Sequence, residues 1–530
     1  MKQHLNILFG ILCASILFTS CSDAFEVSPD EVLLADNYLG DDKIDARSAL
    51  FGVLSQMQDI TGQYIVLGEA RADLVDVTSD AGDEIRQINR HDIDPDNSYI
   101  NPVKLFSMIN NCNYALKGID TAAYESELLE DYVSILRVRT WAQLQILVNY
   151  GKLPYITEPV KSNEDLEKDL LVLSFNQGLD QLMENLEPFA SVDNVSKYAN
   201  SLTYNIQKMI PNNDILMGDL HLWRGDNVLA AIYYKQFLDD NVSGSLYNLQ
   251  AYSVSYTPVG SGFGITNRWL DIFQETVQNN EVINFVGFSD QYRQPNNSYS
   301  VVTEQIKPSV LAVNKWSLEF KGYEGSPFEL VDNRAEGSYE GIGELARITK
   351  YQEEYFVWNR AAKIYLRYAE AINYAGYPKQ ALAIVNGIFN STTTTPVNAP
   401  IFNNSESFLN FDINDYYTLD NNDRPTGGNQ GVRGRAGMAP VTVPEDISQL
   451  DSINLVGQLI LNEGALELAF EGNRWEDLLR FAKRDNDPTI IADPVSEKFE
   501  ISGDAATASA TRAKLMNPEN WYLPLALPGN

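Results

Sequence analysis

Apolar positions recur at helical spacing through the first half of the chain. In Asp45–Ile60, the residues Leu50, Val53, Leu54 and Met57 fall on one stripe at a period of about 3.6, which predicts a helix. Pro102–Ile119 opens with a proline, suited to a first helical turn. Its Leu105, Ile109, Cys112 and Leu116 share a face, so Cys112 reads as a small buried hydrophobe. Ser126–Gly151 is a long helical stretch closed by a glycine, the usual residue just past a helix end. Phe175–Phe189, Asp214–Asp226 and Asn227–Asp240 continue the series.

Pairs such as Asp214–Trp223 with Val228–Leu238 resemble tetratricopeptide units of irregular period, set as helix–turn–helix with small alanines against aromatics. From about residue 250 to 345 the pattern shifts to short strands mixed with Gly, Ser and Asn, a loop-rich excursion. Trp316 in "NKWSLEF" alternates with Leu318 and Phe320, the pattern of a strand's inner face. Helices return at Arg360–Gly376 and Tyr377–Phe389, a polar insertion spans 390–432, and the last predicted helices are Ile453–Gly472 and Asn473–Arg484. The fold class is therefore mainly α: helix pairs forming a scaffold, with one loop-rich excursion containing short strands.

The N-terminus sets the compartment. Lys2 precedes an apolar run, Leu5–Phe18, that is shorter than the roughly 20 residues a spanning helix needs. That order is a signal peptide. The run ends at "LFTSC", which resembles a bacterial lipobox with Cys21 as the lipid-bearing residue, and Thr19 and Ser20 stand where Ala or Gly is frequent. Asp23 and Glu26 follow closely and resemble the surface-export signals of Bacteroidetes lipoproteins. The chain thus divides into a signal peptide (1–20), an anchor leader (21–44) and a single domain (45–530). Within that domain, 45–250 is helical, 251–345 is the excursion and 346–530 is the C-terminal part. The formal charge of −33, one unit more negative once Lys2 is removed, argues against nucleic acid and against docking on anionic lipid. Three cysteines are present; with Cys13 in the signal peptide and Cys21 at the anchor, only Cys112 remains and no internal disulfide is available.

Several segments carry a family. "ELAFEGNRWEDLLR" (Glu467–Arg480) closely resembles the C-terminal signature of SusD/RagB proteins, and "IYLRYAEAINYAG" followed by "ALAIVNGI" their penultimate helix pair. "GVRGRAGM" (Gly431–Met438), "RTWAQLQILVNYGKLPYITEPV" (Arg139–Val160), "VDNR" (Val331–Arg334) and "YLPLALP" are also similar to family motifs, in the expected order. About forty residues separate "VNGI" from "GVRGRAGM", where relatives are often nearly continuous. Read physically, the signature is scaffold: Leu466, Ala469 and Phe470 share a stripe, Trp475, Leu478 and Leu479 bury the next helix, and Arg474 and Arg480 pair with carboxylates. The resemblance implies an outer-membrane lipoprotein facing the cell exterior, non-enzymatic and without a cofactor. Its implied role is to bind oligosaccharides or glycans and deliver them to a SusC-like TonB-dependent transporter, touching the membrane through its lipid alone. Oligopeptide import by the same device is the alternative, and a surface glycoside hydrolase a third reading.

Sugar recognition needs flat aromatic faces and fixed hydrogen-bond partners. Family ligand sites draw on the loop before the third helix and on the later excursion. The candidates are Arg86, Arg90, Tyr99 and Asn101 in Ser79–Asn101, then Tyr292, Tyr299, Trp316 and Tyr323, with Tyr339 nearby. For a peptide ligand, Arg86 and Arg90 would read carboxylates. "DIDPDN" (Asp92–Asn97) lacks the sixth-position glycine and twelfth-position glutamate of an EF-hand loop, "GSGFG" lacks the helix and acid of a dinucleotide site, and no metal site is expected. The many acids allow accidental carboxylate pairs, the one catalytic arrangement composition leaves open.

Overall fold

The computed structural model describes residues 43–119, 127–162, 165, 170–192, 206–241, 249, 254–259, 262–267, 269–274, 279–288, 302–319, 332–351, 355–387, 404–411, 418–419, 425–426, 431–436 and 438–525. Cys21, the leader up to residue 42 and most of the 390–432 insertion lie outside the described residues.

Helix α1 (Lys43–Ile65) buries Leu50, Val53, Leu54 and Met57, the predicted stripe, and passes into a π-helical turn, Val66–Ala70. After β1 (Val75–Val77) comes α2 (Asp83–Asn89), a helix inside the segment read as a loop. Its glycine cap and first-turn acids Asp83 and Glu84 are favourable at a helix start, but seven residues give too short a window for periodicity to reveal. Helix α3 (Val103–Gly118) buries Leu105, Ile109, Cys112 and Leu116 as expected. Helix α4 (Glu127–Tyr150) stops at Gly151, φ +74°. The short strands β2 (Lys152–Pro154) and β3 (Val172–Ser174) pair antiparallel and lead into α5 (Phe175–Leu186), opened by a Ser174/Gln177 capping box. Helices α6 (Asn213–Arg224) and α7 (Asn227–Asn241) turn at Gly225, φ +89°.

The excursion contributes two-stranded antiparallel ladders. Strands β4 (Val254–Val259) and β5 (Gly262–Asn267) form a hairpin. Strand β6 (Val282–Gly287) pairs far down the chain, and β7 (Ile306–Pro308) pairs back to β1, Val75 facing Pro308. Trp316 lies on helix α8 (Val310–Ser317), not on a strand. Ser309 caps that helix through the Ala312 N–H at 3.0 Å, and the cap overrides the apolar alternation. Next come α9 (Asn333–Ser338), the β8–β9 hairpin (Tyr339–Glu340 with Arg347–Ile348) and β10 (Tyr355–Arg360), the partner of β6.

Helices α10 (Ala361–Tyr374) and α11 (Pro378–Asn386) form another packed pair, and a short α12 (Val432–Arg435) precedes α13 (Gln449–Glu467) and α14 (Arg474–Asp485). Two further helices, α15 (Thr489–Ile501) and α16 (Ala505–Leu515), pack on each other beyond the last element expected. The first carries Pro494 in its interior and the second is alanine- and threonine-rich, so neither shows a clean apolar stripe. One apolar core runs through α1, α3, α4 and α5, and a second through α6, α7, α10 and α11. The C-terminal signature joins them: Phe470 and Trp475 belong to the first, Leu468 and Phe481 to the second.

Between the cores lies a lattice of buried charges. Glu463 and Glu467, four residues apart, share one face of the last turn of α13, and Glu471 follows in the turn beyond it. Arg334 reaches Glu463 at 2.6 Å, Glu467 at 3.0 Å and Asp332 at 2.7 Å. Arg360 bonds Glu281 at 2.7 Å, Glu467 at 2.9 Å and Glu471 at 2.8 Å. Arg433 holds Glu463 at 2.8 Å, and Arg435 holds Glu281 at 2.6 Å and also Glu467. Arg474 makes a two-pronged contact with Asp73 at 2.6 and 2.9 Å, and Arg480 bonds Glu370 and Asp477. The carboxylate pairing expected of Arg474 and Arg480 is present, and with Arg334, Arg360, Arg433 and Arg435 these arginines cross-link segments far apart in the chain.

Candidate functional site

The segment Ser79–Asn101 is tied down by its own side chains. The Arg86 guanidinium donates to the carbonyls of Ala81 at 2.9 Å, Thr78 at 3.3 Å and Ser79 at 2.6 Å. It staples its loop and is engaged there. Arg90 is exposed. Glu84 accepts from the Ser98 N–H and hydroxyl, both at 2.7 Å, and Asn97 donates to the Glu84 carbonyl and the Gln87 side chain. Gln63 of α1 donates to the carbonyls of Tyr99 at 2.6 Å and Asn101 at 2.9 Å, which fixes where these two residues stand. Tyr99 is half-buried and Asn101 exposed, its side-chain oxygen accepting from the Val103 N–H at 3.0 Å.

Beside them runs a groove of about 780 Å³. Its walls are the Pro95–Asn101 turn, the outer face of α3 and the segment after β2, with Pro524 and Leu525 also lining it. Asn110 and Asn113 of α3 frame it. Asn110 accepts from the Val160 N–H at 2.7 Å and donates to the Val160 carbonyl, and Asn113 donates to the Ile156 carbonyl at 3.0 Å while accepting from Arg139. With those amides engaged, the lining is largely aliphatic and proline, with Phe106 as its aromatic face; Asp96 and Asn101 stand exposed at the rim. Val103 was the signal sequence reasoning passed over: it sits off the buried stripe of α3 and is 59 % exposed.

Of the candidates, the groove gathers Asn101, with Tyr99 two residues away. Trp316 stands in the core at 1 % exposure, its indole N–H donating to the Leu466 carbonyl at 3.2 Å and its ring stacked on Tyr339. So placed, it offers no face to a ligand. Trp316→Phe is therefore expected to lower stability by about 1–2 kcal/mol, from lost volume and an orphaned carbonyl, and to leave ligand affinity unchanged. Paired denaturation curves and binding isotherms check this. Tyr292, Tyr299 and Tyr323 lie outside the described residues.

Other reactive groups are sequestered. Burial pushes the Cys112 thiol up to about 12. Burial likewise depresses His91 to about 3; its Nε2 contacts the Arg71 carbonyl at 2.7 Å, and its ring lies 5.3 Å from Trp475. His221 stacks on Tyr233. Among the described residues no group of three or more His, Cys, Asp or Glu is placed to hold a metal, and no helix is long and apolar enough to cross a membrane.

Residues 429–526 match the model of the SusD family. The fold is that of SusD superfamily structures across nearly the whole chain. One such protein from Bacteroides vulgatus ATCC 8482 superposes with a TM-score of 0.61 at 14% identity, covering 91% of this chain and 95% of its own. A SusD-like carbohydrate binding protein from the same strain gives 0.55 at 16% identity, covering 83% and 84%. The surface glycan-binding protein A of Bacteroides uniformis gives 0.57 at 15% identity, covering 92% and 96%. A search of curated proteins finds none that matches.

Proposed function

We propose that this chain binds oligosaccharides or glycans at the cell surface and passes them to a SusC-like TonB-dependent outer-membrane transporter, held in place by lipid on Cys21. The reading is of capture without catalysis. The observation that supports it most is the sharing of one fold, over 83% and 92% of the chain, with solved proteins described as carbohydrate- and glycan-binding, together with the SusD family match over 429–526. The groove beside Tyr99 and Asn101 is the site we assign to the ligand.

The test is affinity electrophoresis of the chain beginning after Cys21 through gels containing plant, host or microbial polysaccharides, with reducing ends assayed in the same lanes. Retardation by one glycan class without new reducing ends is the expected result. Val103→Asp is expected to weaken that retardation about tenfold or more, because it sets a charge on the groove wall. Val103 is the first residue of α3, where an acid suits the helix dipole, so folding is retained. Hydrolysis in the retarded lanes would point instead to an enzyme.

One observation favours the oligopeptide alternative: the groove lining is aliphatic and proline-rich, with a single aromatic ring. Its carboxylate-reading element is weaker than expected, since Arg86 is engaged by backbone carbonyls and only Arg90 is exposed. Competition by peptides, with no response to any glycan, would select it.

A further inference from the structure

Two small polar cavities are lined by residues that the groove does not share. The first, about 20 Å³, is lined by Tyr64, Gln145, Trp358, Asn359, Lys363 and Arg367 among others. The second, also about 20 Å³, lies between Gly68, Gln145, Gly472 and Trp475, and shares Tyr64, Gln145 and Glu476 with the first. A cavity needs about 10–15 Å³ of this kind of space to hold one water.

Their walls carry polar atoms that the protein does not satisfy. Among the described residues, the indole N–H of Trp358, the side-chain oxygen of Asn359, the Nε–H of Arg367 and the indole N–H of Trp475 have no hydrogen-bond partner. All four side chains are at most 4 % exposed. The Lys363 ammonium has three protons and one acceptor there, the Trp358 carbonyl at 3.1 Å. Leaving such groups bare costs about 1–3 kcal/mol each.

We infer that each cavity is a binding site for one structural water molecule. Donors outnumber acceptors among the bare atoms, so the first cavity's occupant must accept hydrogen bonds, at most two from among the Trp358, Arg367 and Lys363 donors. It must also donate one, to Asn359. Water does both; a halide accepts only and a metal cation accepts none. Charge points the same way: Lys363 and Arg367 are balanced by Asp219 and Glu476 on the first cavity's wall, which leaves no net charge to hold an ion. Each water bridges elements from opposite ends of the chain, because α1, α4, β10, α10 and α14 all reach these walls.

The test uses the unmodified chain. A crystal structure sharp enough to show ordered solvent is expected to place one peak in each cavity, within hydrogen-bond distance of the Trp358 and Trp475 indole nitrogens. In solution, with 15N-labelled tryptophan, both indole N–H protons are expected to show cross-peaks to a long-lived bound water. Cavities without density and indole protons without cross-peaks would overturn the inference. So would a xenon peak under pressure, marking a dry site, or an anomalous peak after bromide soaking, marking an anion site.

Discussion

Glu467→Gln is expected to remove about 3–5 kcal/mol of folding stability, the cost of taking one partner from a buried ion-pair network. Glu467 is fully buried at the end of α13 and receives Arg334, Arg360 and Arg435 together. Burial pushes its carboxyl up, but the three guanidiniums outweigh burial and hold it well below the usual carboxylate range. Glutamine keeps the shape and loses the charge, so three cations face one another with less to neutralise them. A domain's whole stability is about 5–15 kcal/mol, so the variant will either melt far below the parent or fail to accumulate as soluble protein. The acid limb carries the same signature. A carboxyl with a depressed folded-state pKa contributes stability above its unfolded value of 4.5, lost as pH falls through the folded value. Glu467→Gln should therefore flatten the low-pH loss expected of the parent. A variant with parental stability would mean the lattice is worth no more than its neutral replacement.

That lattice also shows how much was legible in the sequence. The motifs "VDNR", "GVRGRAGM" and "ELAFEGNRWEDLLR" are scattered over about 150 residues, yet Arg334, Arg433, Arg435 and Glu467 meet in one buried cluster. Sequence reasoning could say that Arg474 and Arg480 pair with carboxylates, but not that the partners are Asp73 and Glu370, four hundred and one hundred residues away. Long amphipathic helices were read within a few residues, because one buried face imposes its period: Asp45–Ile60 became Lys43–Ile65, and Pro102–Ile119 became Val103–Gly118. Trp316 was misread as part of a strand because seven residues of alternation cannot be told from one face of a short helix; the Ser309 cap decides it. The groove is not legible as a unit: the candidate segment Ser79–Asn101 supplies one wall, and the others come from Phe106, Val160 and Leu525, which no local pattern brings together.

The second large effect concerns Glu69, in the π-helical turn that follows α1. One of its carboxyl oxygens accepts from the backbone N–H of Gly472 at 2.7 Å and of Asn473 at 3.0 Å, so a residue near the start of the domain grips the start of α14. The approach is close: a Cβ on Gly68 would fall 2.1 Å from the Gly472 carbonyl oxygen, and only glycine fits. Burial drives the Glu69 carboxyl up to about 8; the N–H donors pull it back and neighbouring Glu471 pushes it further up. The unfolded chain ionises near 4.5 while the folded chain holds its proton, so stability is lost as pH rises from about 4.5 through 8. At 1.36 kcal/mol per pKa unit, this loss is on the order of 5 kcal/mol by pH 9 and under about 1 kcal/mol at pH 5. Glu69→Gln keeps an acceptor for both N–H groups and never ionises. It should match the parent near pH 5 and exceed it progressively above pH 6, read as the difference between paired denaturation midpoints. The difference matters because other buried groups titrate too. Lys350, Lys363 and Lys498, each lowered by burial to about 8, add stability as pH rises from there toward 10.5, and His91 costs stability as pH falls from 6.5 through 3. Those contributions are common to both chains and cancel in the subtraction. A difference independent of pH would show that Glu69 is already ionised in the folded protein. The Gly472 and Asn473 N–H groups would then be stabilising a carboxylate, and the turn at the head of α14 would be an anion-holding one.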